Sequence, residues 1–170
     1  MKKLLATLLL AACGAALAAG DAGLSRQDKE FFAKAAAGGM FEVEVGKLAE
    51  SKAQNAEVKA FGSMLVKDHG AANDELKALA QKKGVTLPTA LPAKEQKQLD
   101  KLAKAKDFDK EFVHEVGLSD HKKDIKLFEK TSKGAKDAEV KAFAAKTLPT
   151  LQQHLQHAQG LDKAIKGKKA

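Results

Sequence analysis

Four stretches of the chain repeat apolar side chains at alternating spacings of three and four residues, and no other feature narrows the fold as far. The clearest is Val140, Ala144, Thr147, Leu151, His154, Ala158, Leu161 and Ile165. Side chains three and four apart share one face of an α-helix, whereas a half-buried strand buries every second residue. A second stripe runs Val58, Phe61, Leu65, His69, Ala72, Leu76 and Leu79. A third uses Phe112, Val113, Val116, Leu118, Ile125 and Phe128, with His121 four before Ile125 and His114 one heptad earlier. The remaining stretch carries Phe32, Ala36, Gly39, Val43 and Gly46 beside Phe31, Ala35, Gly38, Glu42, Val45 and Leu48. Its glycines and alanines let a partner helix come close. The chain is therefore all-α.

Local signals set the helix ends. Ser25 with Asp28 reads as an N-cap followed by an acidic residue, which starts helix 1 at about Arg26 and carries it to Lys52. Asn55 caps helix 2, about Ala56 to Lys83, and Gly84 ends it. Helix 3 runs from Asp107–Asp109 to about Ser132, closed by Gly134, and helix 4 from about Asp137 to Lys163. Pro149 falls inside helix 4, where it removes one backbone hydrogen bond and bends the rod. Between helices 2 and 3, residues 84–107 form a long connection with Pro88 and Pro92 and a short helix over Ala93 to Lys104. The segment Ala56-Glu57-Val58-Lys59-Ala60-Phe61 recurs as Ala138-Glu139-Val140-Lys141-Ala142-Phe143, each copy opening the second helix of a hairpin. Two helical hairpins joined by one long crossover make an antiparallel four-helix bundle of ferritin-like connectivity, over residues 26–163.

The N-terminal segment stands apart. Met1-Lys2-Lys3, the apolar run Leu4 to Leu10 and Ala16-Leu17-Ala18 read as a signal peptide over residues 1–18, followed by a linker over 19–25. The alternative is a lipoprotein signal, with Leu10-Ala11-Ala12-Cys13 as a lipobox and Cys13 lipidated. Plain cleavage is the favoured reading and implies a periplasmic protein whose mature part has no cysteine. Residues 164–170 form a basic tail. Removing Lys2 and Lys3 takes the formal charge from +8 to +6. Arg26 is the only arginine, and the chain has no Trp or Tyr. Without arginine forks or stacking rings, a nucleic-acid partner is not expected. The lysines solubilise the surface and allow at most weak association with anionic envelope surfaces.

Several stretches together resemble the bacterial family called domain of unknown function 4142. They are Gly39-Met40-Phe41-Glu42-Val43-Glu44-Val45-Gly46, Val58-Lys59-Ala60-Phe61 with Asp68-His69, Phe108-Asp109 leading to His121, and Leu148-Pro149-x-Leu151-x-x-His154-Leu155. The resemblance implies a ferritin-like, exported protein without an assigned activity. Members are often labelled predicted outer membrane proteins. A β-barrel needs alternating segments of about ten residues, and this chain has none.

The residues that bear chemistry are few. A di-iron carboxylate site needs Glu-x-x-His on two helices and a Glu from each of two others. Only Glu111 with His114 makes such a pair, and helix 4 has no carboxylate near His154. A different set is Glu42, His69, His121 and His154, one from each helix and all facing inward, with His114 as a possible addition. Imidazoles with a carboxylate suit zinc, copper or iron. Heights estimated at about 1.5 Å per residue put His69 and His121 in one layer and Glu42 and His154 several residues lower, near His114. That makes two pairs, not one cage. The rival reading is structural: buried neutral imidazoles donate to carbonyls or carboxylates and set helix register. Asp68, Asp120 and the carbonyl freed by Pro149 are the candidate acceptors. There is no Gly-x-Ser-x-Gly and no phosphate loop. The leading expectation is a non-enzymatic periplasmic helical bundle with an envelope-associated or stress-linked role. A metal-binding or redox protein using the core histidines is the first alternative. The second is a small-molecule binder with a pocket near the Pro149 bend.

Overall fold

The computed structural model describes residues 23–167. The expected signal segment, Cys13, most of the linker and the end of the basic tail lie outside them. Within these residues the chain is all-helical, with α1 over Arg26–Lys52, α2 over Ala56–Lys82 and α3 over Ala93–Ala103. Then come α4 over Phe108–Phe112, a π-helical stretch over Val113–Asp120, α5 over His121–Gly134 and α6 over Ala138–Gly167. No helix among the described residues is long and apolar enough to cross a membrane.

Each rod starts where a side chain can satisfy its free backbone donors. Ser25 accepts from the Asp28 N–H at 3.1 Å, and Asn55 from the Glu57 N–H at 2.8 Å. Asp137 accepts from the N–H groups of Glu139 and Val140. Helix α2 stops at Gly84, whose φ of 65° is the left-handed conformation that glycine adopts without strain, and the Val85 N–H closes back on the Ala80 carbonyl.

The internal echo has a structural counterpart. Asp109, at the start of α4, accepts from the N–H groups of Gln54 and Asn55 in the α1–α2 turn. Asp28, at the start of α1 and fully buried, accepts from those of Lys136 and Asp137 in the α5–α6 turn. Each hairpin thus pins the turn of the other with one carboxylate. Lys83 adds ion pairs to Asp137 at 2.6 Å and Glu139 at 2.7 Å, tying the end of α2 to the start of α6.

Within the first hairpin α1 and α2 touch backbone to backbone. A Cβ on Gly46 would lie 2.7 Å from the Gly62 carbonyl oxygen, and one on Gly62 would lie 2.7 Å from the Ala49 Cβ. The core falls into two apolar clusters. One gathers Val45, Val58, Phe61, Leu65, Phe112, Val116 and Ala158, and the other Phe31, Phe32, Leu76, Phe128, Val140 and Leu151. In sequence, His69 lies between Leu65 and Leu76, His121 between Val116 and Phe128, and His154 between Leu151 and Ala158. A buried polar layer therefore separates the two halves of the core.

Candidate metal centre

His69, His121, His154 and Glu42 form that layer, with exposures of 7%, 0%, 1% and 1%. One nitrogen from each of the three rings lies within 4.8 Å of the others. The ring centroids stand 5.2 to 5.7 Å apart. Phe61 closes one side, with its ring 6.2 Å from those of His121 and His154.

The hydrogen bonds fix the protons. His121 Nδ1 lies 2.9 Å from the Val116 carbonyl oxygen. A carbonyl only accepts, so Nδ1 donates and Nε2 carries a bare lone pair. His154 Nε2 lies 3.0 Å from Asp68 Oδ2. A carboxylate also accepts, so Nε2 donates and Nδ1 is bare. These two bare nitrogens face each other at 3.2 Å. His69 Nε2 is buried with no hydrogen-bond partner. Two bare nitrogens thus face each other and a nitrogen of His69 joins them within 4.8 Å, while the outer nitrogens of His121 and His154 are held by a carbonyl and a carboxylate, as in protein-bound metal ligands.

A proton between the rings would resolve the conflict, but burial opposes it. Burial holds His69 well below the ordinary imidazole value, and the His121 and His154 rings add to the effect. Burial lowers His121 to about 4, against a partial rise from the Val116 carbonyl. His154 is also lowered by burial, with the Asp68 carboxylate partly offsetting it.

The two-pair arrangement expected from residue heights is not what the structure holds, since the three imidazoles share one cluster. The height estimate placed Cα atoms. Side chains lean toward the N-terminus of their own helix, so rings do not keep the heights of their Cα atoms. An imidazole reaches far enough to close an offset of a few residues. His114 does not join them. Its side chain is 62% exposed and meets Glu115. The heptad rule that placed it inward assumes α-helical turns, and the intervening stretch is π-helical, with wider i→i+5 turns. The same stretch brings the His121 ring and its backbone N–H to one acceptor, the Val116 carbonyl.

Glu42 is in the layer but behind His121, with Oε1 3.8 Å from Nδ1. Neither carboxyl oxygen has a hydrogen-bond partner. Burial pushes its proton affinity well up, and Asp124 and Asp120 push it further. The expected acceptors also rearrange. Asp68 serves His154 on another helix, not its neighbour His69, and Asp120 pairs with Gln98 and Lys123. The carbonyl that a buried imidazole takes up is that of Val116, not one freed by Pro149. Beside Pro149 lies an open groove of about 340 Å³ with Asp68, Glu75, Lys146 and Thr150 in its walls, bridged by the Lys146–Glu75 ion pair. The sequence reading missed Asp124, which lines a small cavity of about 20 Å³ together with His69. Its place three residues after His121, on the same helix face, was the available signal.

Burial, with Asp120 adding, raises Asp124 from 3.8 to about 7 despite the nearby Lys123. Native Asp124 then binds more protons than the unfolded chain between those values, and this favours the fold at acid pH and disfavours it above pH 7. The three lowered histidines act in the opposite sense, weakening the fold as pH falls below about 6.5. Asp124→Asn removes only the first effect. Urea midpoints should therefore show this variant more stable than the parent at pH 8, with the advantage vanishing by pH 4. A constant difference across that range would contradict the buried-acid assignment.

The family model for Domain of unknown function (DUF4142) matches residues 13–161, and the chain belongs to that family. No curated protein matches the chain. Two solved structures share its fold at 16% identity, each with a TM-score of 0.69. They are CopM in the Cu(II)-bound form and CopM in the Cu(I)-bound form, and the match covers 81% of this chain and 97% and 96% of theirs.

Proposed function

We propose that this member of the family binds copper through His69, His121 and His154. The observation that carries the reading is the facing pair of bare nitrogens, His121 Nε2 and His154 Nδ1, 3.2 Å apart and buried. Lone pairs so placed repel unless a cation joins them. Ligands about 2.0 Å from one ion can stand up to about 4 Å apart, so this pair suits an ion as it stands and His69 completes the set by a small ring movement. Imidazole donors suit copper, zinc and iron, and the divalent affinity order places Cu(II) highest. Glu42 sits on the far side of His121, which leaves iron without its carboxylates. The likeness to a fold solved with Cu(I) and with Cu(II) supports the same choice.

In this reading the two hairpins form the antiparallel, ferritin-like bundle expected from the sequence. The chain is exported, and its envelope role is to hold copper and not to turn over a substrate. Mature protein purified without a His-tag should bind one copper ion per chain by elemental analysis and calorimetry. His154→Ala should bind at least tenfold more weakly. A parent protein that takes up no stoichiometric copper, or prefers zinc in direct competition, would rule the reading out.

A further inference from the structure

A groove of about 550 Å³ lies between α1, α3 and the start of α5, and its lining holds the carboxylates Glu42, Glu95, Asp120 and Asp124 together with Lys34, Lys94 and Lys123. Of the carboxylates lining it, Asp120 is already held by Gln98 and Lys123. Glu42 is not: it lines the groove, is 1% exposed, and both its oxygens lack a hydrogen-bond partner. Asp124 lies over Gly38, where an added Cβ would come 3.6 Å from Oδ1. Gly38 precedes Glu42 by one helical turn, so the two carboxylates meet the same face of α1. Asp124 also lines the small internal cavity that His69 lines, and Glu42 reaches within 3.8 Å of His121. Both acids therefore have the groove on one side and an imidazole of the candidate centre on the other. The opposite groove, between α2 and α6, differs, because Glu75 is tied to Lys146 and Asp68 to His154.

A buried carboxylate such as Glu42, with the half-buried Asp124 near it, favours a positive partner, and carboxylate oxygens suit hard or borderline divalent ions. We propose that Glu42 and Asp124 form a second cation site at the floor of this groove, where an arriving Cu(II) ion is first held before it passes to His69, His121 and His154. The second step rests on the copper reading, whereas the carboxylate site can be probed without it. Mn(II), an oxygen-seeking ion, is the probe. By electron paramagnetic resonance titration the parent protein and His121→Leu should bind Mn(II), and Asp124→Asn and Glu42→Gln should bind it at least tenfold more weakly. In stopped-flow mixing with Cu(II), these two isosteric variants should load about tenfold more slowly than the parent, and Glu75→Gln, on the opposite groove, at the parent rate. Circular dichroism checks that each variant is folded. Equal Mn(II) affinity in the parent and both carboxylate variants overturns the site. Parent-like Cu(II) loading by both carboxylate variants overturns the route. Mn(II) binding without any copper uptake by the parent refutes the transfer step together with the copper reading.

Discussion

His121→Leu should erase copper-dependent stabilisation while leaving the copper-free protein as stable as the parent, or more so. With copper at about a hundred times its dissociation constant, binding adds roughly 2.7 kcal/mol, which raises the melting temperature of a domain this size by about 5–10 °C. The variant should show no rise. The copper-free expectation follows from the hydrogen bonds. Leucine is close to histidine in volume, and removing the ring removes one of two opposed lone pairs. The Val116 carbonyl stays satisfied, because the backbone N–H of residue 121 also donates to it. A histidine kept only to set helix register predicts the reverse, with a loss typical of a broken buried polar contact, about 1–3 kcal/mol. Melting curves with and without copper for the two proteins separate these outcomes. A large loss without copper would return His121 to a structural role.

Gly62→Val should be the most damaging single change in the first hairpin. The new Cβ would stand 2.7 Å from the Ala49 Cβ and 2.8 Å from the Gly46 carbonyl oxygen. Both neighbours belong to α1, and neither is the flexible end of a long side chain, so the helices must part. Overpacking of this kind costs about 1–3 kcal/mol and sometimes more. Here the expected loss is at the upper end, about 3 kcal/mol, or roughly 10 °C in melting temperature. Gly160→Ala provides the contrast. That glycine is exposed in the C-terminal third of α6, with nothing within 4 Å of an added Cβ, and the change should stabilise by about 0.5–1 kcal/mol through helix propensity. Equal effects from the two substitutions would show that α1 and α2 do not meet at Gly46 and Gly62.

The helices could be read from the chain because their causes are local. Ser25 and Asn55 mark starts by capping, and Gly84 marks a stop by its backbone freedom. Three- and four-residue spacing turned His69, His121, His154 and Glu42 inward. Periodicity reports an angle around a helix axis, and burial follows that angle wherever the turns are regular. It misplaced His114 for the same reason, since the Val113–Asp120 stretch is π-helical and the angle per residue changes there. The roles of Asp28 and Asp109 were not legible, because the N–H groups that donate to them lie in the turn of the other hairpin.

What the sequence determined by itself was an all-helical chain with a polar residue from each long helix buried in its interior. Only the tertiary structure decided that three imidazoles meet in one cluster, that Glu42 stands behind them, and that Asp124 joins the groove to the cavity beside His69. Which ring nitrogen is bare depends on what its other nitrogen touches, and in these rings that is the Val116 carbonyl and Asp68. Such pairings arise from the direction and offset of packed helices, which no spacing along one helix encodes.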